Sequence, residues 1–345
     1  MRRDILARVR AIAFAVLAII APVHAAEPPY PVGLKQIEFA DGDRRIALAM
    51  FYPAALSDSS AKPAGLPFFT NLHLYRDAGL AEGRHPLVML SHGRGSNPLQ
   101  YAWFAETLAS QGYIVAGLYH YRANTYDQSI AYLSNKIWQR PRDISSAMDF
   151  LLKDPVWGKA IDAERIGVAG HSQGGFTSLW IGGAKVNADK FLAFQQGWKN
   201  NQQVPAYLRE ELPLDPAPAL DVRDPRIKAA FAMAPGIIKA FGMDEAGLGQ
   251  MSIPAYVTVG ARDTQTPAQD NAAFAAANIP GAKLVIIPGL VDHEIFVNEC
   301  DNEGRDEFPE ACIDAPGVDR HAIHQEVGAA ALKFFDAHLS SEGGK

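Results

Sequence analysis

The sequence predicts an α/β fold in which helices flank a mostly parallel central sheet. Short β-branched apolar runs alternate along the chain with segments of helical period, the pattern of strand–helix–strand units. Near the middle, one such run (165–169) ends in Gly170-His171-Ser172-Gln173-Gly174, and a helix-compatible segment follows. The chain has 345 residues, 48% of them hydrophobic, which is enough to enclose a large core, and we expect one domain over residues 26–345.

The first 25 residues have the three parts of a secretory signal peptide. Four arginines lie within the first ten residues, an apolar region follows at 11–21, and Val23-His24-Ala25 is a small-residue cleavage site. The apolar run is shorter than the ~20 residues that a membrane-spanning helix needs. We therefore expect export to the periplasm or the medium, with no stable membrane insertion after cleavage, and the export route stays open.

Charge and cysteine content narrow the functional classes. A formal net charge of -6 argues against a nucleic-acid-binding surface. The chain has two cysteines, Cys300 and Cys312, and both lie in a polar stretch that contains Gly304, Pro309 and Pro316. Because thiols oxidise in exported proteins, we expect a disulfide between them.

The elements before the central motif are predicted from apolar period and turn residues. Asp41-Gly42 predicts a hairpin, and the stretch 57–70, rich in Ser, Pro and Gly, predicts a loop. A helix begins at Arg140-Pro141-Arg142-Asp143, where proline suits the first turn. The predicted strands are 34–39, 45–52, 86–91 and 113–119, and the predicted helices are 99–111 and 140–153.

The elements after the motif continue the same alternation with one interruption. Strands are predicted at 226–233, 254–259 and 283–287, and a closing helix at 326–339. Residues 185–224 break the rhythm and contain Phe191, Phe194, Trp198 and Tyr207 and a proline-rich tail. Long insertions are usually functional covers or irregular segments, so two interpretations stay open: a cap over the site, or an excursion over the surface.

The motif Gly170-x-Ser172-x-Gly174 fits a nucleophile elbow, a tight strand-to-helix turn that lifts a serine hydroxyl above the sheet. Glycine is needed on both sides because the strained turn leaves no room for a Cβ. The helix that follows points its positive end at the reaction centre. Ser172 is therefore the predicted nucleophile.

Two later residues supply the partners of this serine in the expected chain order. Asp263 follows the predicted strand 254–259 and His293 follows the strand 283–287, so both lie at carboxyl ends of strands. We expect His293 to be the general base and Asp263 the acid that orients it. Asp244, after the preceding strand, is the alternative acid, whereas Asp292 and Glu294 adjoin His293 too closely to fold onto its ring.

The segment His92-Gly93-Arg94-Gly95 lies where this kind of site places its second oxyanion donor, in the loop after the third strand. We expect the backbone amides of Arg94 and Gln173 to hold the oxyanion. Tyr121, in an aromatic loop at a strand's carboxyl end, and Phe296, just after the base, are expected to line the substrate pocket.

The sequence gives little reason to expect a metal or a cofactor. His321 and His324 have the spacing of one helical turn, but no further ligands accompany them, so we expect them to flank the start of the closing helix. His120 follows a strand and is expected to line the pocket or to serve the structure rather than to act as the base.

Taken with the order of its motifs, the chain resembles the secreted bacterial α/β-hydrolases related to dienelactone hydrolase and platelet-activating-factor acetylhydrolase. The resemblance covers nearly all of the chain after residue 25. It is carried by Tyr30-Pro31-Val32-Gly33, Phe51-Tyr52-Pro53-Ala54, Ser91-His92-Gly93-Arg94-Gly95, Arg140-Pro141-Arg142-Asp143-Ile144, Gly170-His171-Ser172-Gln173-Gly174-Gly175 and the C-terminal helix. It implies the α/β-hydrolase fold and ester hydrolysis by a Ser-His-Asp triad without a cofactor.

Two positions depart from these relatives. Dienelactone hydrolases have a cysteine nucleophile where this chain has Ser172. The acetylhydrolases place the acid after the preceding strand, where this chain reads Ala232-Met233-Ala234-Pro235, and the segment Gly260-Ala261-Arg262-Asp263-Thr264 is instead similar to cutinase-like polyesterases. We expect a serine esterase that forms an acyl-enzyme with small or polymeric esters; an amidase or peptidase with the same triad and a non-catalytic binding module remain alternatives.

Overall fold

The computed structural model describes residues 29–56, 61–131, 136–200, 202, 206 and 221–340. The predicted signal peptide lies outside the described residues. So do Tyr207, the proline-rich part of the insertion and the side chain of Trp198. The strands are β1 (Val32–Asp41), β2 (Arg44–Ala55), β3 (Lys62–Pro63), β4 (Leu74–Arg76), β5 (Gly79–Leu80), β6 (His85–Ser91), β7 (Ile114–Tyr119), β8 (Ile161–His171), β9 (Ile227–Met233), β10 (Ala255–Gly260) and β11 (Lys283–Ile287).

The helices follow the predicted alternation with the strands. They are α1 (Ala102–Ala109), α2 (Gln139–Lys153), α3 (Trp157–Ala160), α4 (Gln173–Ile181), α5 (Ala188–Asn200), α6 (Glu245–Leu248), α7 (Ala272–Asn278), α8 (Asn302–Glu307), α9 (Pro309–Cys312) and α10 (Arg320–His338). Within the described ranges, no helix combines the length and the apolar character that crossing a bilayer would require.

The strands form one 11-stranded sheet in the order β11-β10-β9-β8-β6-β7-β2-β1-β4-β3, with β5 beside β2. The pairs from β7 through β6, β8, β9 and β10 to β11 are all parallel, whereas β2 runs antiparallel to both β1 and β7. This arrangement confirms the mostly parallel sheet of the sequence prediction. It also brings the carboxyl ends of β6, β8, β10 and β11 to the same edge of the sheet.

Helices cover both faces of the sheet, so the central strands are buried on both sides. Helices α2 and α4 pack on one face, where Val168 of β8 and Phe176 of α4 share a core cluster. Helices α1 and α10 pack on the other face, where Ala169 contacts a second cluster that includes Phe104 and Phe335. Successive β8 residues thus point to opposite layers, which explains why this strand is buried throughout its second half.

The closing helix begins earlier than the sequence predicted. It starts at Arg320 rather than at residue 326, because the Asp319 carboxylate accepts a hydrogen bond from the Ala322 N–H (3.0 Å) and caps the helix. His321 and His324 consequently lie inside its first two turns. The short strands β3, β4 and β5 were not predicted, since runs of two or three residues are too short to show a period.

The described part of the insertion is anchored to the protein core. It begins with α5, whose Phe191 and Phe194 rings lie 5.9 and 5.0 Å from the ring of Phe241. Phe191 is fully buried. The aromatic residues at the start of the insertion therefore fasten this helix to the layer formed by α2 and α4.

A disulfide joins Cys300 and Cys312, as the sequence predicted, with their Cα atoms 5.5 Å apart. It closes a loop that contains α8 and α9. The loop is held against the segment after β3, where the Asp301 N–H donates to the Phe68 carbonyl (3.0 Å) and the Phe68 and Phe308 rings meet edge to face at 5.3 Å. The bridge therefore stabilises a region whose helices are too short to be stable alone.

Replacing both cysteines by serine should lower the thermal stability of the protein. For a bridge that spans 12 residues, the chain-entropy model assigns about 3 kcal/mol of stabilisation. Thermal unfolding of the Cys300→Ser/Cys312→Ser variant measures the loss, and the wild type with reductant is the matched control. An unchanged melting temperature in both would contradict the stabilising role.

Candidate active site

Ser172 lies on the strained turn between β8 and α4. Its φ of 55° and ψ of -120° place this non-glycine residue in the positive-φ region that L-residues avoid. Any side chain at Gly174 would collide with the Ser91 carbonyl at the end of β6. The Ser172 N–H donates to the Met233 carbonyl and its own carbonyl accepts from the Gly236 N–H, both at 2.9 Å, so the loop after β9 holds the strained conformation.

His293 and Asp263 meet at the same edge of the sheet. His293 opens a 3-10 turn after β11, Asp263 follows β10, and His293 Nδ1 lies 2.7 Å from Asp263 Oδ2. Both side chains are buried. Asp263 also accepts hydrogen bonds from the Thr266 N–H (2.7 Å) and the Thr266 hydroxyl (2.8 Å).

These contacts keep the Asp263 carboxylate ionised and set the direction of its hydrogen bond with His293. Burial raises the pKa of Asp263, but the hydrogen bonds from His293 and Thr266 outweigh it, so the pKa stays below its usual value. An ionised carboxylate only accepts hydrogen bonds, so His293 Nδ1 carries the proton in the short contact between the two side chains. Thr266 was not predicted, although Asp-x-x-Thr is a spacing at which such turns form.

Ser172 and His293 line one cavity of about 460 Å³. The loop after β6 supplies one wall, through Gly93, Arg94 and Gly95. The disulfide-closed loop supplies the opposite side, through Phe308, Glu310 and Ala311. None of the described residues of the insertion 185–224 lines this cavity. The segment with the predicted oxyanion loop thus shares a cavity with the predicted nucleophile and base.

One of the two predicted oxyanion residues, Gln173, follows Ser172 directly in the chain, and the other, Arg94, lines the same cavity as Ser172. Gln173 begins α4 with its side chain buried. Gly93 brings the backbone of the loop close to the nucleophile, since a Cβ at Gly93 would lie 3.5 Å from the Ser172 Cβ. The assignment of the Arg94 and Gln173 amides as oxyanion donors stays a prediction.

A chain of hydrogen bonds joins the loop after β6, the end of β8 and His293. The Gly93 N–H donates to the Tyr101 hydroxyl oxygen (3.3 Å), Tyr101 contacts His171 Nδ1 (3.0 Å), and His171 Nε2 contacts the His293 carbonyl (3.1 Å). A carbonyl only accepts, so His171 donates through Nε2 and accepts the Tyr101 proton at Nδ1. Burial, followed by the influence of His293, lowers the pKa of His171 well below its usual value and keeps it neutral.

Neither predicted pocket residue lines the cavity of Ser172. Tyr121 lines a separate cavity of about 580 Å³ beside β1 and β2, and its ring lies 5.1 Å from the Arg44 guanidinium carbon. Phe296 is fully buried against His171, because the 3-10 turn that begins with His293 directs it into the core. The aromatic side chains of Tyr101 and Phe308 line the cavity of Ser172 instead.

The other carboxylates and histidines have different partners. Asp244 caps α6, where it accepts from the Gly247 N–H (2.8 Å), and it also pairs with Lys190 (3.0 Å). His321 pairs with Glu299 (2.7 Å), whereas His324 stacks on Trp103 at 3.9 Å. Within the part of the chain that the structure describes, no group of three or more His, Cys, Asp or Glu residues is arranged to hold a metal ion.

The architecture is that of the α/β-hydrolase fold. A solved ferulic acid esterase from Streptomyces cinnamoneus superposes with a TM-score of 0.62 at 21% identity, covering 94% of each chain. A dienelactone hydrolase from Anabaena variabilis superposes with a TM-score of 0.50 at 14% identity, covering 90% of this chain and all of its own. At these identities the likeness shows the fold alone.

Two comparisons at the level of sequence match parts of the chain. Residues 70–155 match the family model of platelet-activating factor acetylhydrolase, isoform II. A bis(hydroxyethyl) terephthalate hydrolase from Streptomyces coelicolor is 27% identical over 185 residues, 51% of this chain. The chain spans about half of that relative, 54% of its length. By sequence, these parts of the chain are thus similar to proteins that are named as ester hydrolases, and the structural likenesses show the α/β-hydrolase fold.

The buried neutral histidines should make the fold sensitive to acid. Burial is the main cause that lowers the pKa of His92, His120 and His171 in the folded protein. In the unfolded chain they take up protons below a pH of about 6.5. Unfolding therefore binds protons, and the free energy of unfolding should fall by roughly 1 kcal/mol per histidine for each pH unit as the pH drops below that value.

Urea unfolding at pH 7.5, 6.0 and 5.0 measures this dependence. His324, whose pKa burial lowers to about 3, should contribute in the same way, so His324→Phe should flatten the pH dependence. His73→Gln is the matched control, because the His73 side chain is 84% exposed. A free energy of unfolding that does not change between pH 7.5 and 5.0 would contradict the account.

Proposed function

We propose that this chain is an exported serine hydrolase that cleaves carboxylic esters with Ser172, His293 and Asp263. The observation that carries the proposal is the 2.7 Å contact between His293 and Asp263, made beside a serine that shares a cavity with His293. The positive φ of Ser172 adds to it, since strained backbone of this kind is concentrated at functional sites.

The proposed reaction begins with proton transfer. His293 Nε2 accepts the Ser172 hydroxyl proton as Oγ attacks the ester carbonyl. The imidazolium that forms is stabilised by Asp263, which already holds the Nδ1–H and is fixed in place by Thr266. The low pKa of Asp263 suits this role, because the carboxylate stays ionised throughout the cycle.

The later steps use the two backbone amides beside the serine. In the proposed mechanism the Arg94 and Gln173 N–H groups stabilise the oxyanion of the tetrahedral intermediate, and a donor of this kind is typically worth ~10²–10³ in rate. The C–O bond to the alcohol then breaks as His293 delivers its proton to the leaving oxygen. Water, activated by His293, hydrolyses the resulting acyl-enzyme and restores Ser172.

Two kinds of observation support the cellular and chemical context. The disulfide between Cys300 and Cys312 and the predicted signal peptide both support export. The relatives named for bis(hydroxyethyl) terephthalate and ferulic acid support carboxylic esters as the substrate class. Small aromatic esters of these two kinds are the first compounds to test, each with a matched amide.

Ser172→Ala should abolish turnover of an activated short-chain ester without unfolding the protein. Loss of a triad nucleophile typically costs several orders of magnitude, because attack and proton transfer are lost together. A fluorophosphonate probe should label the wild type once per chain and leave the variant unlabelled. Substantial turnover by the folded variant would exclude this assignment, and comparable turnover of the matched amides would favour the amidase alternative.

Asp263→Asn should lower kcat by roughly 10⁴-fold, as expected when the partner of the base can no longer hold the productive tautomer. Asp244→Asn is the matched control, since Asp244 caps α6 and pairs with Lys190. Steady-state kinetics on one ester compares them. If Asp244→Asn were the severe variant, the acid would have been assigned to the wrong residue.

A further inference from the structure

Arg140, in the first turn of α2, is a buried arginine whose hydrogen bonds converge on the elbow. Its side chain is 3% exposed, with Nη1 3.2 Å from Gln173 Oε1 and Nε 3.3 Å from Thr177 Oγ1. Its Nη2 donates to the His92 carbonyl and lies 3.2 Å from Ser91 Oγ. All three guanidinium nitrogens are therefore engaged, and these acceptors are neutral groups.

These acceptors belong to the two segments that carry the proposed oxyanion donors. The His92 carbonyl lies two residues before Arg94, in the loop after β6. Gln173 immediately follows Ser172, and the Thr177 hydroxyl that Arg140 contacts also donates to the Gln173 carbonyl (2.8 Å). One rigid guanidinium thus bridges the end of β6 and the beginning of α4. A lysine offers a single nitrogen and could not make all of these contacts.

A second Ser-His-Asp series supports this arginine. Ser91 Oγ lies 2.8 Å from His120 Nε2, His120 Nδ1 lies 3.0 Å from Asp143 Oδ2, and Asp143 pairs with Arg44. The series has the contacts of a catalytic triad, but Ser91 and His120 are fully buried and offer no access to a substrate.

The direction of these hydrogen bonds follows from the two charged groups at the ends of the series. The Asp143 carboxylate only accepts and the Arg140 guanidinium only donates. Asp143 accepts from His120 Nδ1, so Nε2 must accept the Ser91 proton, which leaves Ser91 Oγ to accept from Arg140. Burial, followed by the charge of Arg140, lowers the pKa of His120 well below its usual value, so the ring stays neutral and this direction is fixed. The Asp143 charge is thereby linked to the buried guanidinium through two neutral side chains.

We infer that Arg140 is a positioning residue that sets the spacing between the Arg94 and Gln173 amides. The inference rests on the proposed serine hydrolase function and deepens it. Arg140 contacts the backbone of the first donor segment at the His92 carbonyl, and it reaches the backbone of the second through the Thr177 hydroxyl, which donates to the Gln173 carbonyl. Its side chain does not line the cavity that holds Ser172. Arg140 therefore affects the reaction through the two amides. These stabilise the negative charge that develops on the substrate oxygen in the transition state.

The expected signature is a loss in kcat with little change in KM. Oxyanion donors interact with the transition state more strongly than with the bound ester, so their displacement lowers kcat selectively. Arg140→Met, which removes all the contacts, should lower kcat by about 10²-fold, the lower end of the loss of one donor. Arg140→Lys should lie between this variant and the wild type.

The experiment compares Arg140→Met and Arg140→Lys with Arg226→Lys as the matched control. Arg226 also bridges two segments, through Asp224 and Asp149, but it lies outside the site. Thermal unfolding checks the fold, and kcat, KM and the rate of fluorophosphonate labelling are measured with one ester. Support requires that kcat and the labelling rate fall together at constant KM in the Arg140 variants alone.

Folded Arg140 variants that keep kcat, or that lose activity through KM, would overturn the inference. If neither variant folds, Gln173→Leu decides: a fall in kcat at constant KM supports the inference, and unchanged kinetics overturns it. Failure of the proposed function itself is separate, because it appears in the wild type as the absence of labelling, or as full activity in Ser172→Ala.

Discussion

The close approach of the elbow to the end of β6 is the constraint on which the rest of the site depends. Gly174, in the first turn of α4, leaves no space for a Cβ beside the Ser91 carbonyl, and β6 pairs directly with β8 as far as Ser91 and Gly170. This contact sets the distance between the loop that carries Arg94 and the helix that begins at Gln173. A different strand between β6 and β8 would separate the two segments by another ~5 Å.

Two buried, neutral histidines, His171 and His120, connect the segments around Ser172 by hydrogen bonds. His171 connects Tyr101 to the His293 carbonyl, and His120 connects Ser91 to Asp143. Burial keeps both rings unprotonated, so each has one donor and one acceptor nitrogen and its hydrogen bonds have a single direction. A protonated ring would offer two donors and would lose the contact in which it accepts. Burial of the two rings therefore fixes the direction of the hydrogen bonds in both networks.

Much of the fold could be predicted because its signals are local. The strands before Ser172, Asp263 and His293 are short apolar runs that end in turn residues, and parallel strands must bring their carboxyl ends together. The disulfide followed from the presence of two cysteines in a polar stretch. The start of α10 was missed because it depends on one cap, Asp319, in a stretch with a weak apolar period.

The walls of the cavity could not be predicted in the same way. Phe296 is close to His293 along the chain and Tyr121 follows a predicted strand, but the direction of each side chain is set by packing with distant segments. The contribution of Phe308 depends on a disulfide and on Phe68, far away in sequence. The links through Tyr101 and Arg140 likewise join segments that no periodic pattern relates. Position along the chain predicts which side chains meet at this edge of the sheet better than it predicts the surfaces around them.

The lining of the cavity has two parts that are held in place in different ways. Ser172, His293 and Asp263 are held at the edge of the sheet by hydrogen bonds in which neither Cys300 nor Cys312 takes part. The side made by Phe308, Glu310 and Ala311 belongs to the segment that the bridge between Cys300 and Cys312 closes. We therefore expect reduction of the bridge to change this side of the cavity before it changes the positions of Ser172, His293 and Asp263. In the proposed hydrolase, substrate selectivity would then vary separately from the chemical step.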